Sequence, residues 1–126
     1  MSESKLTAEH MRQVLQRYVE SVTRGDCDAI LGLYADDATV EDPFGSEPRR
    51  GKQAIGELYR NAAGKVRLEL DGRVRVAANR AAAPMLGRPT SMPGMVVEIV
   101  DVMAFNDDGL ITAMRAYWGP DTIRSE

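Results

Sequence analysis

The stretch that decides the fold is MVVEIVDVMAFNDDGLITAMRAYW, Met95 to Trp118. Its first part, Met95 to Phe105, alternates side chains as a strand with one inward face does. The NDDG of Asn106 to Gly109 is typical of a tight turn, and Leu110 to Trp118 is then predicted to be the partner strand. A long strand pair with an apolar face needs further elements to cover it, and the rest of the chain supplies candidates.

Two further strand patterns lie upstream of this pair. Lys65 to Leu70 and Arg73 to Ala78 alternate, and Asp71-Gly72 between them predicts a hairpin. The stretch Arg80 to Gly94 holds three prolines and two glycines. Because proline donates no backbone hydrogen bond, we expect an edge strand broken by loops there rather than a regular central strand.

The N-terminal half favours helices. Thr7 to Arg24 places apolar residues at helical spacing, with Thr7 as N-cap and Gly25 as the stop. Asp26 caps a predicted short second helix, and a third helix is expected over Lys52 to Ala63. The inward positions of the second helix are Ile30, Leu33 and Tyr34. Helices followed by a meander of strands predict an α+β fold, with the helices packed on one face of an antiparallel sheet.

Composition narrows the chemistry. A length of 126 residues predicts one domain, residues 1–126. The formal net charge of −3 argues against a nucleic-acid partner. Cys27 is the single cysteine and His10 the single histidine, so an intrachain disulfide and histidine-dependent triads are excluded and no metal site is expected. No signal peptide or membrane span is apparent, and we expect a reducing cytoplasm.

Two adjacent carboxylates end the strand predicted around Ala38 to Asp42. Alternation puts Asp42 on the inward face with Val40, whereas Glu41 points outward. An inward carboxylate at the rim of a core commonly caps a turn, and this pattern alone favours that structural role over chemistry.

Asp101 is the only ionisable residue in the apolar row of its strand. Such a carboxyl either pairs with a cation, for which Arg115 is the candidate, or stays protonated and donates a hydrogen bond. Three tyrosines are predicted on the apolar stripes of three helices: Tyr18, Tyr34 and Tyr59. Carboxyl and phenol groups together in an apolar pocket suit enolisation, in which one carboxylate moves a proton and neutral acids stabilise the oxyanion.

Five segments together resemble the bacterial Δ5-3-ketosteroid isomerases. They are RYVE (Arg17 to Glu20), GLYADDATVEDPFGSEP (Gly32 to Pro48), ELYRN (Glu57 to Asn61), EIVDVMAF (Glu98 to Phe105) and MRAYW (Met114 to Trp118). The resemblance implies a cone-shaped fold like that of nuclear transport factor 2, a curved antiparallel sheet wrapped on three helices. It also implies conversion of 3-oxo-Δ5-steroids to 3-oxo-Δ4-steroids by intramolecular proton transfer through a dienolate, without a cofactor.

The resemblance assigns roles residue by residue. Asp42 matches the catalytic base, and Tyr18 and Asp101 match the oxyanion hole. Tyr34 and Tyr59 match the supporting hydrogen-bond network, and Trp118 matches a tryptophan beside the base. The stretch Arg80 to Gly94 departs from the family pattern, which leaves the shape of the steroid pocket open.

Two alternatives stay open at this point. A non-catalytic module of the same fold would bind a steroid or another apolar ligand, and a cyclase or dehydratase of this fold would be expected to use histidine with aspartate.

The sheet face opposite Asp101 carries the apolar side chains Val96, Val100 and Val102, and an apolar face is expected to be covered by another part of the protein. A second copy of the chain would cover this face, as in the homodimers of the family, unless the proline-rich loop packs on it instead.

Overall fold

A computed structural model describes residues 6–126; the first five residues, part of the segment where no signal peptide is predicted, lie outside it. Three α-helices form: α1 (Ala8–Arg24), α2 (Cys27–Leu31) and α3 (Gly51–Ala62). The strands are β1 (Tyr34–Glu41), β2 (Arg49–Arg50), β3 (Val66–Leu70), β4 (Arg75–Ala77), β5 (Arg80–Pro89), β6 (Met95–Phe105), β7 (Ile111–Tyr117) and β8 (Ile123–Ser125). A short 3₁₀ turn spans Pro120–Thr122.

One curved sheet carries all of these strands. Its order is β2-β1-β7-β6-β5-β3, with β4 beside β5 and β8 beside β6. The pairs are antiparallel except for β1 and β7, which run parallel. The α+β fold with a curved, mainly antiparallel sheet packed on three helices is therefore confirmed.

Helix α1 begins and ends at the predicted residues, α3 lies one residue before its predicted bounds, and α2 ends at Leu31, so Leu33 falls outside it. The Thr7 side chain accepts a hydrogen bond from the backbone N–H of His10, and Gly25 ends α1 in the left-handed region at φ 79°. The Asp26 carboxylate accepts from the Ala29 N–H and caps α2. The apolar stripe of α1 is buried against the sheet, and its buried members include Met11, Leu15 and Tyr18.

Strand β6 has the predicted bounds, β7 is one residue shorter than predicted at each end, and the register of the pair places Asp101 opposite Ala116. Successive side chains of β6 differ in how deeply they are buried. Asp101 and Met103 are buried, whereas Val100 on the other face is 40% exposed. The strand pattern therefore predicted the inward side of Asp101 correctly.

Two predictions about chain segments are wrong. Tyr34 is the first residue of β1 rather than part of α2, so its phenol comes from the sheet. The Asp71-Gly72 turn does not form a hairpin, because β3 and β4 both pair with β5 and not with each other. Alternation located both strands, but it carries no information on which partner each strand selects.

The segment expected to be an irregular edge is also different. Within it, β5 is a regular ten-residue strand that pairs with β6 on one side and with β3 and β4 on the other. The Pro84 carbonyl accepts a hydrogen bond of 2.8 Å from the Asp71 N–H. In an antiparallel pair the N and C=O of one residue point to the same neighbour, so the proline nitrogen, which has no hydrogen to donate, faces the segment between β3 and β4. The proline is tolerated because no ladder bond is required of it there.

No helix among residues 6–126 is long and apolar enough to cross a membrane.

Candidate active site

One cavity of about 230 Å³ opens between helices α1 and α3 and the inner face of the sheet. Apolar side chains form most of its wall, and a few polar groups project into it, which is the usual composition of a small-molecule site. The polar groups are Tyr18, Asp42, Tyr59, Asp101 and Trp118. Five of the six residues assigned from the sequence thus line one cavity, and Tyr34 lies behind it.

Strands β3 and β5 provide the wall that sequence reasoning missed. Val66 and Leu68 contribute from β3, and Met85, Gly87 and Pro89 from β5. The alternation of Lys65 to Leu70 could have indicated the first two. The β5 residues were hidden by the prolines, which obscured the strand.

Asp42 follows the last residue of β1, where the strand gives way to the loop toward β2. Its Oδ1 accepts a hydrogen bond of 2.8 Å from Trp118 Nε1. Burial raises the pKa of Asp42 above its ordinary value, and the bond from Trp118 acts in the opposite direction. A carboxylate with a raised pKa is a better proton acceptor than one in water.

Asp101 lies in the middle of β6 and is only 2% exposed. In the part of the chain that the structure describes, its Oδ1 has no hydrogen-bond partner. Burial raises the pKa of Asp101 well above its ordinary value, and the charge of Asp42 raises it further. Burial therefore favours the protonated carboxylic acid, the form of this group that can donate an O–H hydrogen bond.

The salt-bridge alternative for Asp101 is wrong. Arg115 lies opposite Val102 in the sheet register and therefore shares the outer face with Val102, not the inner face with Asp101. Its Nε is 3.6 Å from an oxygen of Glu41, the carboxylate predicted to point away from the cavity. Arg115 thus pairs with Glu41, and no salt bridge to Asp101 forms among residues 6–126.

The three tyrosine hydroxyls form a chain. The Tyr34 and Tyr59 oxygens are 2.7 Å apart, and the Tyr59 and Tyr18 oxygens are 2.9 Å apart. With Tyr34 donating to Tyr59 and Tyr59 donating to Tyr18, the proton of Tyr18 is left to point into the cavity. Burial raises the pKa of Tyr18 well above its ordinary value, and the acidic neighbours Tyr34, Asp101 and Asp42 add to the rise, so its phenol stays neutral.

The remaining polar candidates lie elsewhere. His10 Nε2 is 2.8 Å from the carbonyl oxygen of Gly109, in the turn between β6 and β7, and Cys27 is a free thiol at the start of α2. Among residues 6–126, no group of three or more His, Cys, Asp and Glu side chains is placed to hold a metal ion. The chemistry that this arrangement supports is proton transfer by one carboxylate beside two neutral oxygen donors.

Comparison with known proteins places this geometry in a family. Residues 15–114 match the SnoaL-like domain. A Steroid Delta-isomerase from Nocardioides simplex is 46% identical over 114 residues, which cover 87% of this chain and 90% of that protein. Epoxide hydrolase LasB from Streptomyces lasalocidi is 31% identical over 139 residues, covering 91% of this chain but 49% of the hydrolase, so the chain spans about half of that protein.

Among solved structures, the epoxide hydrolase/cyclase-like enzyme SalBIII, studied for its role in pyran ring formation in polyether salinomycin, superimposes with a TM-score of 0.85. It is 26% identical, and the match covers 94% of this chain and 97% of that chain. The domain match spans most of the chain, and the isomerase match spans nearly all of both proteins. The chain therefore belongs to the SnoaL-like family, with the nuclear transport factor 2-like fold, and within it to the group of enzymes that contains the Steroid Delta-isomerase.

Proposed function

We propose that the protein is a steroid delta-isomerase that converts 3-oxo-Δ5-steroids to 3-oxo-Δ4-steroids. The observation that carries this proposal is the placement of an ionisable carboxyl, Asp42, in the same apolar cavity as two neutral donors, Tyr18 and Asp101. The relative from Nocardioides simplex, similar over nearly its whole length, supports the same reaction.

In the proposed mechanism the steroid ketone lies against Tyr18 and Asp101. Asp42 removes a proton from carbon 4, and the electron pair of that C–H bond moves toward the ketone to give a dienolate. Tyr18 and protonated Asp101 donate hydrogen bonds to the oxygen as its negative charge grows. Asp42 then returns the same proton at carbon 6, which leaves the conjugated enone.

The other polar residues have positioning roles in this proposal. Trp118 holds one oxygen of Asp42, and Tyr34 and Tyr59 orient the Tyr18 hydroxyl. The reaction draws only on carboxyl and phenol groups of the chain, so the proposal assigns no cofactor.

The test is an ultraviolet assay for the conjugated enone formed from 5-androstene-3,17-dione. We expect absorbance to grow with the purified chain and to be lost with Asp42→Asn, while Glu41→Gln, the neighbouring carboxylate on the outer face, keeps its rate within a few-fold. Binding of the steroid without any enone would instead support the non-catalytic module.

A second candidate is epoxide opening, and the likeness to the two epoxide hydrolase or cyclase enzymes favours it. The same cavity offers Asp42 as a base and Asp101 as an acid. The chain's one histidine, His10, bonds to Gly109 outside the cavity, so chemistry of this kind would run on carboxyl groups alone. Turnover of an epoxide with no enone formed from the steroid would favour this candidate over the isomerase.

We also propose that the protein is a homodimer through the outer face of β6 and β7. Phe44, Val100 and Tyr117 are 50%, 40% and 43% exposed, and the Phe44 and Tyr117 rings stack 5.1 Å apart. Large apolar side chains exposed together are typical of an interface. Sedimentation should show a dimer that Val100→Glu dissociates, whereas Val96→Ala, a change at a buried position of the same strand, should leave the dimer assembled.

The cytoplasm remains the proposed compartment, because the sequence contains one cysteine and no intrachain disulfide.

A further inference from the structure

The cavity extends along the inner face of β6, where three side chains line it at successive levels. They are Asp101, Ile99 and Val97, which alternate with outward residues of the strand. Val97 is four residues from Asp101, about 13 Å away along the strand. Asp101 is buried, whereas Ile99 and Val97 are half-buried, so exposure increases away from Asp101. We call the level of Val97 the far end of the cavity.

The register of β6 and β7 gives the level of the proposed base. Val100 pairs with Tyr117, so Trp118, which follows Tyr117, lies near the level of Ile99. Trp118 donates its indole N–H to Asp42, and the carboxyl of Asp42 is therefore near this middle level too.

This order of residues sets the direction of a bound steroid. In the proposed mechanism the ketone lies against Asp101, and carbons 4 and 6 face Asp42. Carbon 17 is at the opposite end of the fused rings from the ketone at carbon 3. A steroid that reacts in this way therefore points carbon 17 toward the far end of the cavity.

Gly87 of β5 lines the cavity at the far end. It is buried, and it pairs with Val97 of β6 on one side and with Leu68 of β3 on the other. Its φ is not positive, so the backbone does not require glycine at this position. Glycine inside a strand is unfavourable, and it often marks a place where a ligand comes close to the backbone.

A side chain at position 87 would meet the cavity wall. A Cβ built on Gly87 would lie 3.1 Å from Ile99 Cδ1, 3.4 Å from Val66 Cγ2 and 3.5 Å from Leu68 Cδ2. All three of these side chains line the cavity. The best separation of two carbon atoms is about 3.5–4.0 Å, so even one methyl group would displace Ile99 or take space from the cavity.

We propose that Gly87 is a specificity-determining residue that leaves room at the far end for a carbon substituent at carbon 17 of the steroid. This inference rests on the isomerase function proposed above. The side chains around the space are Val66, Leu68 and Val97, all apolar, so the substituent they suit is an uncharged one such as an acetyl group.

The first experiment compares two steroids. 5-Pregnene-3,20-dione carries an acetyl group at carbon 17, whereas 5-androstene-3,17-dione carries only a carbonyl oxygen there. We expect the wild-type chain to isomerise both. Gly87→Ala should lower kcat/KM for the pregnene relative to the androstene by about 10-fold, the usual effect of one methyl group in an apolar pocket.

Two further variants separate lost space from a damaged fold. The double variant Gly87→Ala, Ile99→Val removes one methyl group beside the one that it adds, so the ratio of the two kcat/KM values should return toward wild type. Gly32→Ala, the same change at the exposed end of α2, should leave the ratio unchanged. A ratio unchanged in Gly87→Ala, or a wild-type chain that isomerises only the androstene, overturns the proposal.

The second experiment needs no turnover. Trp118, the single tryptophan of the sequence, lines the cavity, so its fluorescence reports binding of the conjugated enones 4-pregnene-3,20-dione and 4-androstene-3,17-dione. Gly87→Ala should raise the Kd of the pregnene relative to that of the androstene. If the wild-type chain binds both but forms no enone, the isomerase function fails and the ratio of the Kd values decides the role of Gly87. An equal ratio in wild type and Gly87→Ala, or no binding of either steroid, contradicts that role.

Discussion

Two aspartates in one cavity show how position along a strand sets the chemistry of a carboxyl group. Asp42 follows the end of β1, is half-buried and receives the Trp118 indole N–H. Asp101 lies in the middle of β6, is 2% exposed and has an oxygen without a hydrogen-bond partner in the described residues. Burial raises the pKa of both, but only Asp42 has a donor that acts against the rise.

The difference separates the two roles. Asp42, at a strand end beside a loop, is less buried and receives a hydrogen bond that favours its carboxylate form. Asp101, in the middle of a strand, is more deeply buried, which favours its neutral acid form. The proposed function uses this difference to assign a base and an acid to the same residue type, as the handling of two aspartates in ketosteroid isomerase does.

The largest expected effect comes from removing the base. Asp42→Asn should lower kcat by about 10⁴-fold or more, at or beyond the upper end of the usual contribution of general acid–base catalysis, because the other carboxyl that lines the cavity, Asp101, is held toward its neutral form by burial. Steady-state enone formation measures it, with Glu41→Gln as the control. Turnover near the wild-type rate in Asp42→Asn would assign the base elsewhere.

Loss of an oxyanion donor ranks second. Tyr18→Phe removes the hydroxyl that lines the cavity and should lower kcat by about 10²–10³-fold. Tyr59→Phe, which cuts the chain of hydroxyls one step behind, should cost less than Tyr18→Phe. An equal or larger loss with Tyr59→Phe would show that the order of the two tyrosines is misassigned.

The third test concerns stability. The folded chain keeps the Asp101 proton at a pH where the unfolded chain releases it, so this group makes the protein less stable as pH rises above about 4, by about 1.4 kcal/mol per pH unit until the raised pKa is reached. Asp101→Asn cannot ionise and should lack this decline. Urea unfolding of both proteins across the pH range measures the difference, and parallel stability profiles would contradict a raised pKa.

The smallest effect is a shift of a pH profile. Trp118→Phe removes the hydrogen bond that lowers the pKa of Asp42, so the acidic limb of kcat/KM should move to higher pH. Tyr117→Phe, a change at the adjacent exposed residue, should leave the limb in place. An unshifted limb in Trp118→Phe would mean that the indole does not affect ionisation of the base.

The sequence predicted the helices, the β6–β7 hairpin and the inward side of both aspartates, because each of these depends on local periodicity and caps. It did not predict the partners of β3 and β4 or the regularity of β5. Strand pairing is decided by tertiary packing, and Pro84 is acceptable only because its missing donor faces the gap after Asp71.

In the site, too, some features follow from the local sequence pattern and others depend on tertiary packing. Tyr34 was placed on the wrong element, yet its hydroxyl still reaches Tyr59, since the first residue of β1 follows α2 closely. The partner of Arg115 depended on which face of β7 points inward, which periodicity left open.

The most direct test of the proposed division of roles is the protonation of the two aspartates at pH 7. Infrared difference spectra between wild type and Asp101→Asn, and between wild type and Asp42→Asn, report each carboxyl separately. We expect a protonated carboxyl band for Asp101 and a carboxylate band for Asp42. A carboxylate band lost with Asp101→Asn would contradict this division of roles.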